Sequence, residues 1–250
     1  MPFNQRLLRP VSASRYAALR AGLVAYWPMN ETASSGDVTA EDWTKRGNNL
    51  SSNNSVLSTT GRINNGRLFV RNNSEWLSVT SSDLALGEPA WTMTFWFFVA
   101  SGASNSFFIL AAKDESGARQ FAINYNLSTA GATSTDALTW TYYATSAGGL
   151  NAGVTGVARN QWNFLTWSHE ANASVINCSL NRSSTATLSR TGGDTFTTFS
   201  SGFSVGRRNF SGFHEYADAT IDELAVWNRA LSDAQLDALY NSGVGIDLRS

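Results

Sequence analysis

From Trp91 to Val99 the chain alternates: Trp91, Met93, Phe95, Phe97 and Val99 face one way and Thr92, Thr94, Trp96 and Phe98 the other, the two-residue period of a strand. Both faces are bulky, which predicts a central strand covered on both sides. Shorter runs with strand character recur at Leu23–Met29, Arg67–Val70 and Glu75–Thr80, and then in FFILAAK, RQFAINYN, LTWTYYA, WNFLTWS, VINCSLN, ATLS and FSVGR. Turn residues separate them closely, and DESG (Asp114–Gly117) marks a hairpin. This many short strands without strand–helix alternation predict an all-β sandwich.

The pattern changes at ATIDELAVWNRALSDAQLDALYNSG, residues 219–243. In its strand part, strict alternation places Asp222 with Leu224 and Val226, and Glu223 with Ala225 and Trp227. Asp222 thus shares a side with core residues, and a buried carboxylate must be paired, hydrogen-bonded or bound to a cation. The following helix has Ser232 as N-cap and Gln235 as capping-box partner, with Asp233 in its first turn. Leu231 and Leu236 hold the staple positions, Leu236, Leu239 and Tyr240 form an apolar stripe, and Gly243 is the expected left-handed cap.

Composition narrows the function classes. The 250 residues carry a net charge of −1 and 12% aromatics, nine of them Trp, which suits one large packed sandwich and argues against nucleic-acid binding driven by charge. No stretch approaches the apolar length of a membrane span. The single cysteine, Cys178, excludes an intrachain disulfide framework and reads as a buried structural thiol. Residues 1–21 differ in character, with Arg6, Arg9, Arg15 and Arg20 and no acid. These arginines interrupt every apolar run, so a secretory signal is not expected. The segment reads either as a frayed or locally packed terminus or as a basic arm docking on a partner, ahead of one domain over residues 22–250.

Catalytic patterns are weak. Paired carboxylates for glycoside hydrolysis are not evident; the nearest acidic group is Glu215, Asp218, Asp222 and Glu223. His169 and His214 lack a nucleophile elbow and read as surface or interface residues. Two His and one Cys leave oxygen ligands as the plausible metal chemistry. Saccharides stack on exposed aromatics beside polar groups. Trp140, Tyr142 and Tyr143 are candidates, although an aromatic on a strand of a sandwich is more often core, and the stronger set is Arg207, Phe210, Phe213, His214 and Tyr216, where Asn, Ser and Gly surround the rings.

The segment IDELAVWNRALSDAQLDALYNSG resembles the C-terminal signature of laminin G-like domains in the concanavalin A-like lectin/glucanase superfamily. GLVAYWPMNETASSG, RGNNL, INNGRLF, WTMTFWFFV, WNFLTWSHE and FSVGRR follow the family order across Gly22–Gly243. The resemblance implies a concanavalin A-like jelly-roll β-sandwich closed by a short C-terminal helix. It also implies a structural Ca²⁺ site at Asp42, Asn48 and Asp222, with an arginine salt bridge or plain hydrogen bonding as the alternatives for Asp222. The basic start is similar to that of small phage virion proteins. The expectation is therefore a non-catalytic virion decoration protein, probing host glycans from the virion surface. It would assemble with other virion proteins or as a homo-oligomer through its arm, without nucleic-acid or membrane partners. The alternative is an extracellular carbohydrate-binding or adhesion module.

Overall fold

A computed structural model describes residues 11–84, 86–103, 107–113, 120–126, 136–144, 148–190, 194–196, 202–210 and 213–250. Two antiparallel sheets stack as a sandwich. The eight-stranded sheet runs β13 (Ser184–Ser189), β12 (Val175–Leu180), β11 (Trp162–His169), β6 (Trp91–Phe98), β17 (Ala219–Trp227), β4 (Asn65–Phe69), β3 (Leu57–Thr60). Its eighth strand, β1 (Leu23–Trp27), pairs with β17 end to end with β4. The seven-stranded sheet runs β10 (Gly148–Val157), β9 (Asp136–Ala144), β8 (Gln120–Asn126), β7 (Phe107–Lys113), β14 (Gly202–Val205), β5 (Trp76–Val79), β2 (Ser51–Asn53). A small hairpin of β15 (Arg207–Phe210) and β16 (Phe213–Tyr216) leads into β17. Two α-helices, α1 (Val11–Arg20) and α2 (Asp233–Tyr240), and three short 3-10 helices complete the described elements. No helix of the described residues is long and apolar enough to cross a membrane.

The alternation of β6 is realised. Trp91, Met93, Phe95, Phe97 and Val99 enter the core between the sheets, while Trp96 enters a second apolar layer on the outside. Cys178 lies in the main core with Ile176 and Leu180, and burial pushes its thiol pKa up, so it is the structural thiol expected. The β7–β8 hairpin pairs as predicted, although its turn lies outside the described residues. Three of the candidate side chains are buried. Trp140 and Tyr142 are core residues, Tyr142 donating to Leu86 O at 2.9 Å, and the Tyr143 side chain lies outside the described residues. His169 is fully buried rather than superficial; its Nδ1 donates to Val175 O at 2.9 Å and its ring packs edge-on to Phe196. The side chain of His214 lies outside the described residues.

The outer layer covers β6, β17, β1 and the start of β11. Tyr26, Trp96, Phe164 and Trp227 form its floor, and Leu19, Leu231, Leu236, Leu239 and Leu248 its roof. Tyr240 stacks on Trp96 with centroids 5.7 Å apart. The capping box of α2 is present, Ser232 accepting from Gln235 N and Gln235 Oε1 from Ser232 N. The helix ends earlier than expected: Asn241, at φ 48°, takes the left-handed cap in place of Gly243, a conformation Asn tolerates through its short polar side chain.

Candidate functional site

β17 carries the main surprise. Asp222 pairs with Trp96 and Ala225 with Thr94, so one extra residue enters the strand between them. Glu223 fills this bulge at φ 52°, a left-handed conformation that a non-glycine residue rarely adopts. The bulge resets the alternation. Ile221, Leu224 and Val226 face the main core, and Asp222, paired with Trp96, faces outward. The sharing of a face by Asp222, Leu224 and Val226 is thereby corrected.

Asp222 sits where β4 gives way to β1 along the edge of β17. Its Oδ2 accepts from Ile63 N at 2.9 Å and its Oδ1 from Glu223 N at 2.8 Å. Burial raises its pKa to about 7, against the lowering effect of these amides and that of Arg62. Beside it, burial and the Asp222 charge push Glu223 up to about 9. Tyr26 donates to Glu223 and lies 3.3 Å from Asp247, which pairs with Arg249 at 2.7 Å.

Asp42 and Asn48 come together on the loop after β1. Asp42 accepts from Tyr26 N, Thr44 N, Thr44 Oγ1 and Asn48 N. Asn48 Nδ2 donates to Val24 O at 3.0 Å, and its Oδ1 accepts from Ser81. Asp222 joins neither of them through these bonds. Carboxylate oxygens facing protons in this way present little to a cation, so Asp42, Asn48 and Asp222 do not fit Ca²⁺ as they are arranged. Among the described residues no group of three or more His, Cys, Asp or Glu could hold a metal ion. Asp222 takes its hydrogen bonds from backbone amides.

The end of the basic segment packs against its own chain. Arg20 donates from Nε to Leu248 O at 2.6 Å and from Nη2 to Ser250 O at 2.5 Å. The terminal carbonyls of α1 have no intrahelical donors and take them from the clasp. Trp227 Nε1 donates to Leu19 O at 2.6 Å, and Arg229 to Ala18 O and Ala21 O at 2.7 and 2.6 Å. Arg20 is thus a structural tie within the chain. Arg6, Arg9 and the Arg15 side chain lie outside the described residues.

The predicted aromatic loop is the β15–β16 hairpin, which pairs Arg207 with Tyr216 and Phe210 with Phe213. The side chains of Phe210, Phe213 and His214 lie outside the described residues. The Arg207 guanidinium lies 3.5 Å from the centroid of Trp76. Burial lowers its pKa, opposed by its hydrogen bond with Tyr216. Arg208 and Glu215 pair at 3.6 Å across the same hairpin.

Trp76 brings this cluster to the outer face of the seven-stranded sheet. With Leu77 in the core, alternation turns Trp76 and Ser78 outward. In the same way, inward Phe121, Ile123, Tyr125, Leu138 and Trp140 turn Asn124, Asn126, Thr139 and Thr141 outward. Asn124 donates to Asn126 at 2.9 Å, Asn126 to Thr139 at 2.5 Å, and Thr141 to Asn151 at 2.6 Å. Amide and hydroxyl groups on this ladder keep further donor and acceptor capacity. Sequence reading missed Trp76 and the ladder, although the polar positions of FAINYN and LTWTYY alternate visibly with apolar ones.

A two-sheet antiparallel sandwich with a closing helix defines the class. A family model described as the concanavalin A-like lectin/glucanases superfamily (Laminin_G_3) matches residues 71–237. The chain belongs to this family. No curated protein sequence matches it. Among solved structures it is similar to domain 4 of AbnA, a GH43 extracellular arabinanase from Geobacillus stearothermophilus, in complex with arabinotriose. That match has 14% identity and a TM-score of 0.58, over 90% of this chain and 98% of the domain. It is also similar to the botulinum neurotoxin serotype D binding domain, with 10% identity and a TM-score of 0.63 over 92% of this chain. A Trypanosoma rangeli sialidase matches with 14% identity and a TM-score of 0.60 over 91% of this chain. The chain spans 53% of the toxin binding domain and 34% of the sialidase. At these identities the likeness is one of fold.

Proposed function

We propose that the chain is a non-catalytic glycan-binding module that holds saccharides on the outer face of its seven-stranded sheet. The observation carrying this reading is the ladder of Asn124, Asn126, Thr139, Thr141 and Asn151, on the same face as Trp76 under Arg207. Amides and hydroxyls in fixed register suit the closely spaced hydroxyls of a sugar, and the half-exposed Trp76 indole, with the Arg207 guanidinium stacked over its ring, adds an aromatic and cationic platform. Asn, Thr, Trp and Arg bind without exchanging protons near neutral pH, so the face supplies no general acid or base. The similar arabinanase domain, in complex with arabinotriose, supports the reading by analogy of fold.

An extracellular place of action follows from this reading. The virion placement expected from the basic start has no counterpart in the similar structures described above, and Arg20 is tied within its own chain. The test is a glycan array followed by titration calorimetry on the full chain. Binding of at least one saccharide class is expected, weakened about tenfold by Trp76→Ala, the scale of one lost aromatic contact. An array without binding, or affinity unchanged in both Trp76→Ala and Thr139→Ala, would overturn the proposal.

A further inference from the structure

On the eight-stranded sheet the covering layer stops short. α2 and the C-terminal tail lie over β6, β17, β1 and Phe164 of β11, while the rest of the outer face of β11, with those of β12 and β13, opens into a cleft of about 520 Å³. Its volume lies within the range of roughly 300–1,000 Å³ common for ligand sites.

Six hydroxyl or amide side chains form the floor: Thr166 and Ser168, Asn177 and Ser179, Thr185 and Thr187. The register sets them in two rows, Thr166–Ser179–Thr185 and Ser168–Asn177–Thr187. Strand geometry spaces neighbours within a row by about 4.8 Å and the rows by about 7 Å. Thr166 Oγ1 donates to Ser179 Oγ at 3.2 Å. The inward residues Leu165, Trp167, Ile176, Cys178 and Leu188 fix this outward aim.

A polar outer face alone would be ordinary for an antiparallel sheet. This one is recessed beneath a wall formed by the corner Ala230–Asp233 and Leu236. Arg182 lines the end of the cleft next to this wall. It stands at the tip of the β12–β13 hairpin in the left-handed region, at φ 58° next to Asn181 at 52°. Its Nε donates to Asp237 at 2.8 Å and its Nη2 to Asp233 at 2.6 Å. The two carboxylates neutralise the guanidinium, and Glu170 at the lining adds a negative charge, so an anion gains nothing by entering. Among the described residues no aromatic side chain lines the cleft, which leaves hydrogen bonding rather than ring stacking as the means of recognition.

We infer that this cleft is a second saccharide subsite, taking one or two uncharged sugar rings through the Thr/Ser/Asn lattice. It is separate from the seven-stranded face, on the opposite side of the sandwich. Maltotriose, cellotriose and arabinotriose are each titrated at millimolar concentration into ¹⁵N-labelled full chain. At least one is expected to shift the amides of Ser168, Asn177 and Thr187. Those shifts should vanish in Thr187→Trp, which fills the cleft from an exposed edge position, and weaken about fivefold in Asn177→Ala, the scale of one lost hydrogen bond. Trp76→Ala should leave them intact. Shifts in the cleft without any on the seven-stranded face support this subsite and remove the face. Shifts confined to the face overturn the subsite, as do cleft shifts that survive both Thr187→Trp and Asn177→Ala. No shift at either place overturns both readings.

Discussion

The phenol of Tyr26 donates its hydrogen bond to Glu223, across the joint where β1 and β4 meet end to end on β17. The phenol has one proton and a second acceptor, Asp247 Oδ1 at 3.3 Å. The phenol oxygen in turn accepts from Leu248 N at 3.2 Å, and Arg249 holds Asp247 in place. The bulge that re-aims Glu223 thus gathers Asp222, Glu223 and Asp247 beneath the C-terminal tail, and two of the three are raised toward their neutral forms.

Stability should therefore fall with rising pH. Asp222 is raised from 3.8 to about 7 and Glu223 from 4.5 to about 9, so the folded chain holds these protons more tightly than the unfolded one. Their contribution is complete below about pH 4 and is lost as pH climbs through 7 and 9. Asp247 works the other way: despite its burial, the Arg249 bonds keep it below its usual range, so its share is lost in acid. Urea unfolding between pH 5.5 and 9.5 should show a loss of more than ~1 kcal/mol, flattened at its upper end in Glu223→Gln. A curve that rises over this interval would contradict the placement of these protons.

Deleting residues 1–21 should destabilise the sandwich rather than leave it untouched. The deletion removes Leu19 from the outer layer and takes the acceptor from the buried indole of Trp227. An orphaned buried donor costs about 1–3 kcal/mol, and the lost leucine burial adds roughly 1.5–3 kcal/mol. Thermal unfolding of the full and shortened chains gives the comparison, and equal melting temperatures would mean that α1 contributes nothing to the clasp.

Much of this architecture was legible because it follows simple periods. The two bulky faces of Trp91–Val99, the capping box of Ser232 and Gln235 and the core position of Cys178 all depend on local spacing and realise their expected places. The bulge at Glu223 was not legible: strict alternation continued through IDELAV reads smoothly, and the extra residue is imposed by the junction of two partner strands on one edge. Nor was the destination of Arg20, because its acceptors belong to the last residues of the chain. Trp76 was passed over as one aromatic in a short strand; only its distant neighbour Arg207 marks it out.

Gly61 should tolerate no side chain. A Cβ there would stand 2.4 Å from Asn65 O and 2.6 Å from Asp222 Oδ2, and both are fixed, the first by backbone and the second by its amide donors. Gly61→Ala must open the loop that supplies the Ile63 amide to Asp222, leaving a buried carboxylate short of a partner. A loss of about 2–3 kcal/mol is expected from chemical denaturation. A near-neutral substitution would show that this loop is free to shift away from Asp222.

Asp42 gives the sharpest test of whether calcium belongs to this fold position. Its oxygens accept from Tyr26 N, Thr44 N, Thr44 Oγ1 and Asn48 N, so the chain itself satisfies the charge. A stabilising ion bound only to the folded state would make the melting temperature depend on its concentration. The expected outcome is an equal melting temperature in excess EDTA and in millimolar CaCl₂. Asp42→Asn should nonetheless cost about 2–4 kcal/mol, because an amide NH₂ would face backbone N–H donors where an acceptor is required. A melting temperature lowered by EDTA and restored by calcium would instead place a cation among these oxygens and require the loop Asp42–Asn48 to rearrange around it.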